Sequence, residues 1–146
     1  IAGAPSLPKE FYENYVDENV HFVSNKTYDL LRCSKAALVT SGTATLETAL
    51  LNVPEVVCYR GSKISYEIAK RLVKHIKYIS LVNLIMDRAV VKELIQSELT
   101  TENLVSELKL VLNEDRSKIL SDYEELRHKL GGKGASENAA EIIVKG

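Results

Sequence analysis

At 146 residues the chain has the size of one domain and enough length to bury a core. Its 45% hydrophobic and 27% charged residues exclude a disordered tail, and a formal net charge of -1 supplies no global field for nucleic acid. No apolar run approaches the roughly 20 residues that a membrane-spanning helix needs.

The chain opens on Ile1-Ala2-Gly3-Ala4-Pro5-Ser6, without Met and at what reads as the end of a strand, which predicts a piece of a longer protein. Lys9 to Tyr15 reads as a short helix with aromatic anchors, and Val20 to Val23 alternates as a strand closed by Ser24-Asn25. Thr27 to Arg32 reads as a short helix with Leu30 and Leu31 inward. Ala36 to Thr40 is predicted as the central strand and Thr43 to Asn52 as the helix after it; beyond Pro54, Glu55 to Tyr59 is the next strand. Strand and helix alternating at this spacing predict an α/β fold with a Rossmann-like parallel sheet and right-handed crossovers. Cys33 and Cys58 sit in apolar runs far from any CxxC spacing, and read as core thiols of a reducing compartment.

Ser62 to Lys74 is predicted as a helix, apolar at Ile64, Ile68, Ala69, Leu72 and Val73 and basic at Lys63, Lys70, Arg71 and Lys74, with His75 and Lys77 beyond. Tyr78 to Leu81 reads as a short strand and Leu81 to Met86 as a loop. From Arg88 the period is helical: Val91, Leu94 and Ile95 in a first segment, Leu104, Leu108, Val111 and Leu112 in a second, Ile119 to Leu130 in a third. Glycines 131, 132 and 134 break the third, and Ser136 is placed to cap a last helix, Glu137 to Val144. The expected division is thus an α/β part over 1–87 and a helical part over 88–146.

The informative stretch is Ser41-Gly42-Thr43-Ala44-Thr45-Leu46-Glu47, directly after the central strand. A small-residue turn that opens a helix offers free backbone N–H groups to an anion. An ordinary βα connection would look much the same, apart from the acid. Glu47 is out of register for a capping box, and stands i, i+4 from Thr43 on one helix face. Its carboxylate is therefore available to a ligand above the carboxyl edge of the sheet, and a ribose diol suits it.

These residues resemble the donor-site motif of lipid-A-disaccharide synthase, a bacterial glycosyltransferase of the two-domain GT-B class. Gly3-Ala4-Pro5-Ser6, Tyr59-Arg60, Ala69-Lys70-Arg71-Leu72-Val73, Tyr78-Ile79-Ser80-Leu81-Val82-Asn83-Leu84 and Val91-Lys92-Glu93-Leu94-Ile95-Gln96 follow in the family's order and spacing. The resemblance covers essentially the whole chain, as the C-terminal, donor-binding half of a family member. It implies a hexosyltransferase of Gram-negative lipopolysaccharide synthesis. The reaction joins UDP-2,3-diacylglucosamine to 2,3-diacylglucosamine 1-phosphate, giving lipid A disaccharide 1-phosphate and UDP. It also implies a metal-independent mechanism with no cofactor, which His21, His75 and His128 fit, being scattered without ligand spacing. On this resemblance Gly42 and Thr43 face the diphosphate, Ser41 belongs to the same substrate-binding turn, Glu47 holds the ribose, Asn83 is the catalytic residue near the reacting sugar, and Arg60 is a candidate for phosphate charge. Glu93 and Gln96 match family positions, with helix-surface residues as the plainer reading of both.

Val82 stands where the family usually has proline, which predicts a looser loop around Asn83. The catalytic base is expected on an N-terminal acceptor domain outside this chain, so the chain alone is expected to be inactive and to bind the donor weakly. The resemblance also leaves open a homodimer formed by C-terminal exchange and a cytoplasmic enzyme resting on the inner membrane through its basic face. Two other readings compete. One is a different UDP-sugar GT-B enzyme, the N-acetylglucosaminyltransferase of polyprenyl-linked muropeptide or a UDP-N-acetylglucosamine 2-epimerase. The other is a nucleotide-binding or dimerisation module without chemistry.

Overall fold

A computed structural model describes residues 1–4, 6–40, 42–61, 77–113, 115–131 and 134–145, and of 135–138 the backbone alone. The chain divides into two compact units, Ile1–Lys35 and Ala36–Gly146.

In the first unit β1 (Ala2–Gly3) pairs in parallel with β2 (Val23–Ser24), and α1 (Lys9–Glu13) and α2 (Thr27–Arg32) accompany them. Aromatic packing organises this unit: the rings of Tyr12 and Phe22 lie 4.8 Å apart, and Phe11 meets Tyr12 edge-on at 5.2 Å. The Tyr12 hydroxyl accepts the Ala4 amide at 2.8 Å. A Cβ on Gly3 would stand 2.5 Å from the Phe22 ring, which is why the opening motif has glycine there. Leu31 is buried and Leu30 half-buried, as their spacing predicts. The strand expected at Val20 to Val23 is shorter and later, because Val23 and Ser24 alone pair with β1. Cys33 is exposed, against its expected place in a core.

The second unit carries a parallel sheet in the order β3 (Ala37–Thr40), β4 (Glu55–Tyr59), β5 (Lys92–Ile95). Its helices are α3 (Thr43–Leu50), α4 (Leu81–Met86), α5 (Thr101–Asn113), α6 (Ser117–Lys129) and α7 (Ala135–Lys145), and a 3-10 turn spans Gln96–Glu98. Ala49 of α3, Val57 of β4, Val82 and Met86 of α4, Val91, and Tyr123 and Leu126 of α6 form one buried cluster. The helices α3, α4 and α6 therefore share a core over the sheet, while α5 packs against β4 and β5. Cys58 is half-buried, and burial pushes its thiol up; both cysteines are free. The chain is α/β, with parallel strands flanked by helices and a helical C-terminal end.

Several expectations fail here. Val91, Leu94 and Ile95 suit a helix by spacing, yet Lys92–Ile95 is a strand paired with β4. In so short a window the two periods are not separable, and pairing decides. The α/β pattern thus continues past residue 87. Leu81 to Met86 is a helix and not a loop, because Ser80 caps it, its hydroxyl accepting the Asn83 amide at 3.2 Å. The same cap removes the strand expected over residues 78–81. The last helix begins at Ala135, ahead of Ser136, and α3 ends at Leu50. The helix expected at residues 62–74 lies outside the described residues.

Candidate functional site

All three strands of the larger sheet end on one edge, with Thr40 level with Cys58 and Cys58 level with Leu94. The loops that leave such an edge are where parallel α/β sheets bind ligands. The chain delivers Gly42 and Thr43 there after β3, Arg60 after β4 and Gln96 after β5. Ser41 lies outside the described residues, as do Lys63, Lys70, Arg71, Lys74 and His75 of the expected basic face; Lys77 is exposed.

Gly42 is the N-cap of α3, with φ 126 and ψ -159, a conformation that costs any other residue strain. A Cβ there would meet nothing within 4 Å, so the backbone angle and not crowding demands glycine. Among the described residues no side chain caps α3, and unpartnered N–H groups of a first helical turn carry partial positive charge. The hydroxyls of Thr45 and Thr48 are buried and used inside the helix, donating to the Gly42 carbonyl at 2.8 Å and the Ala44 carbonyl at 2.7 Å. Thr43 is exposed and Glu47 half-buried, and neither side chain has a hydrogen bond or ion pair with a described residue. A hydroxyl and a carboxylate thus stand one turn apart beside an uncapped helix start.

The other two edge residues are partly committed. Arg60 is exposed, and its Nη2 donates to the Leu99 carbonyl at 2.5 Å. Gln96 has φ 52, left-handed for a residue with a Cβ, and its buried Nε2 has no hydrogen-bond partner among the described residues. Backbone strain and an unmet donor coincide at the carboxyl end of β5.

Asn83 is not brought to this edge. It is 1% exposed, in the first turn of α4, and its side chain is saturated. Oδ1 accepts the amides of Val90 at 2.8 Å and Val91 at 3.0 Å; Nδ2 donates to the Val91 carbonyl and to Glu93 Oε1, both at 2.9 Å. Those partners lie at the start of β5, roughly 15 Å of extended chain before Gln96. Nor is the presentation of Asn83 loose for want of a proline: Val82 is fully buried in the core cluster, and a helix presents its neighbour.

Glu93, expected on a helix surface, faces the start of α4 from β5. Its Oε1 accepts the Ser80 amide at 2.9 Å, the Ser80 hydroxyl at 2.7 Å and Asn83 Nδ2, while Oε2 accepts the Ile79 amide at 3.0 Å. The spacing Ser80-x-x-Asn83 is a legible cap signal; nothing local marks Glu93 as its partner.

Among the described residues of this unit two cavities stand out. One, about 340 Å³, opens between Glu55 at the start of β4, residues 89–92 and the facing ends of α5 and α6. The other, about 440 Å³, lies along β5 between Lys77, Tyr78, Asn83 and Ile95. Glu55 is 1% exposed with neither carboxyl oxygen hydrogen-bonded, and burial pushes its pKa up to about 9. The phenol of Tyr123, raised mainly by burial and next by the charge of Glu55, neighbours it. Among the described residues no group of three or more His, Cys, Asp or Glu could hold a metal ion, and no helix is long and apolar enough to cross a membrane.

A family profile, lipid-A-disaccharide synthetase, matches residues 7–145. The chain belongs to that family. It is 39% identical over 123 residues to the lipid-A-disaccharide synthase of Synechocystis sp., covering 82% of this chain and 31% of that protein. It is 42% identical over 127 residues to that of Syntrophus aciditrophicus, with 86% and 33% covered, and 38% over 141 residues to that of Psychromonas ingrahamii, with 97% and 34% covered. The chain spans about a third of the length of the curated relatives it matches. As a member of the lipid-A-disaccharide synthetase family, it matches along both units, and the edge residues Gly42, Thr43, Glu47, Arg60 and Gln96 all fall inside the matched span.

Proposed function

We propose that this chain is the donor-binding part of a glycosyltransferase of lipid A biosynthesis. The reaction joins UDP-2,3-diacylglucosamine to 2,3-diacylglucosamine 1-phosphate and releases UDP. The observation that carries the site is the pairing of an uncapped helix start at Gly42 with a Glu47 carboxylate that has no described partner, one turn along the same helix. The first amides of α3 take the diphosphate, an interaction worth roughly 0.3–2 kcal/mol. Glu47 accepts the ribose hydroxyls, each charged hydrogen bond contributing about 1.5–3 kcal/mol. Arg60 keeps guanidinium donors beyond the one given to Leu99 and adds charge to the phosphate side. Departure of UDP then leans on backbone amides and a guanidinium and needs no metal ion. The general base and the acceptor come from the rest of the full-length enzyme, which works at the cytoplasmic face of a membrane that supplies its lipid substrates.

The test is amide hydrogen exchange. UDP slows exchange over residues 42–47, and Glu47→Gln removes the protection. Equal protection in wild type and Glu47→Gln excludes the ribose role.

A further inference from the structure

The network around Glu93 assigns Asn83 a different task from contact with the reacting sugar. We propose that Glu93 is a positioning residue which, with Ser80 and Asn83, locks the entry of α4 onto β5, and that Asn83 serves turnover through this lock without touching substrate. The inference rests on the transferase reading above and concerns how its site is held.

The geometry leaves Asn83 no free valence. A primary amide has two N–H donors and a carbonyl with two lone pairs. Here both donors go to Val91 and Glu93, and both lone pairs to the amides of Val90 and Val91. A sugar hydroxyl could gain Asn83 only by displacing one of these bonds inside a site that is 1% exposed. Unmaking a bond there leaves a buried polar group unpaired.

Glu93 is the other half of the lock. Its oxygens gather the Ile79 and Ser80 amides, the Ser80 hydroxyl and Asn83 Nδ2, so one carboxylate ties three residues of another element to β5. Ser80 in turn caps α4 by accepting the Asn83 amide. The lock therefore sets where the chain stands just before α4, at Lys77 and Tyr78. Those two residues line the cavity along β5 together with Glu93 and Ile95, the residue before Gln96. A strand register held at Glu93 is held at Gln96, three residues on. Positioning of this kind matters because a misplacement of about 1 Å costs on the order of 100-fold in rate.

Glu93→Gln and Glu93→Ala separate the roles. Four of the contacts converge on Oε1, the Ile79 amide being shared with Oε2, so glutamine keeps most of the lock, whereas alanine removes it. In the full-length enzyme, kcat is measured per UDP-binding site, which takes unfolded protein out of the comparison. Asn83→Ala and Glu93→Ala are each expected to lower it by about 100-fold, Glu93→Gln by less than about tenfold, and the double alanine variant to match the worse single within about threefold. Wild-type kcat per site in Glu93→Ala, with Asn83→Ala still impaired, overturns the proposal and returns Asn83 to the substrate. A lowered melting temperature with wild-type kcat per site in both overturns it too, leaving a purely structural network. If Glu93→Ala does not fold, Ser80→Ala replaces it, with a loss of about tenfold expected and none counting against the lock. Hydrogen exchange, read without substrate, keeps this inference apart from the transferase reading. Glu93→Ala should speed exchange at Val90 and Val91, whose amides bond Asn83 and not Glu93, and unchanged rates there overturn the lock even where no transfer is seen.

Discussion

Gly42 and Glu55 show what single residues commit this chain to. Alanine at 42 meets no steric obstacle, yet must adopt φ 126, at a cost of about 1–3 kcal/mol. Gly42→Ala is therefore expected to lower stability by that amount in urea melts, and to weaken UDP protection because the first amides of α3 turn away. A melt within about 0.5 kcal/mol of wild type would show that α3 starts with another geometry. Glu55 makes the opposite kind of commitment, a buried acid with no partner. Its pKa rises from an ordinary 4.5 to about 9, so between those values the folded state holds a proton that the unfolded state has lost. The stability tied to this proton is fully present below about 4.5, falls as pH climbs and is lost once pH has passed about 9. Glu55→Gln should flatten this slope in melts between pH 6 and 9, and should be the more stable protein at the upper end. Parallel slopes for the two proteins would mean that Glu55 is ionised in the fold.

At the scale of elements, helix ends decide where the pieces stop. α3 closes where Asn52 turns left-handed at φ 60, and Arg127 of α6 donates to the Leu50 carbonyl at 2.7 Å and to Asn52 Oδ1 at 2.8 Å. A cation on the last carbonyls of a helix is favourable both as a hydrogen bond and against the helix dipole. Arg127→Ala is expected to cost roughly 1–3 kcal/mol, with Arg127→Lys recovering part of it, as urea midpoints will show. Arg88, donating to Asp122 and Glu125 at 2.8 Å each, fastens the turn between α4 and β5 to the same helix. So α6 braces both α3, which follows the carboxyl end of β3, and the turn that feeds β5. The cap at Ser80 was readable from Ser80 and Asn83, and a strand assigned over residues 78–81 obscured it. For β5 no local signal separates the two periods, because four residues give too few repeats.

At the scale of the whole molecule, the carboxyl edge of the sheet collects residues that lie far apart in the chain: Gly42, Arg60 and Gln96. Neither of the two cavities found among the described residues is lined by Gly42, Arg60 or Gln96. On the proposed donor-binding role, a chain about a third as long as its relatives is expected to bind UDP at least about tenfold more weakly than the full-length enzyme. Calorimetry on both proteins checks this; equal affinity would place the entire nucleotide site within these residues.

The amino-acid sequence alone determined the α/β class, the β3 to β4 core, the glycine at the turn and an acid out of capping register, because these depend on short-range pattern and backbone chemistry. It also determined the family, because several motifs recur in one order. The tertiary structure decided which partners Asn83 and Glu93 take. Both side chains find their partners across 7 to 14 residues of chain, between a helix and a strand whose own patterns are ambiguous. Hydrogen bonds of that reach leave no periodic trace. At Gly42 to Glu47, local backbone chemistry made the glycine turn and the helix after it legible; at Asn83, only the fold could show that the side chain was already taken.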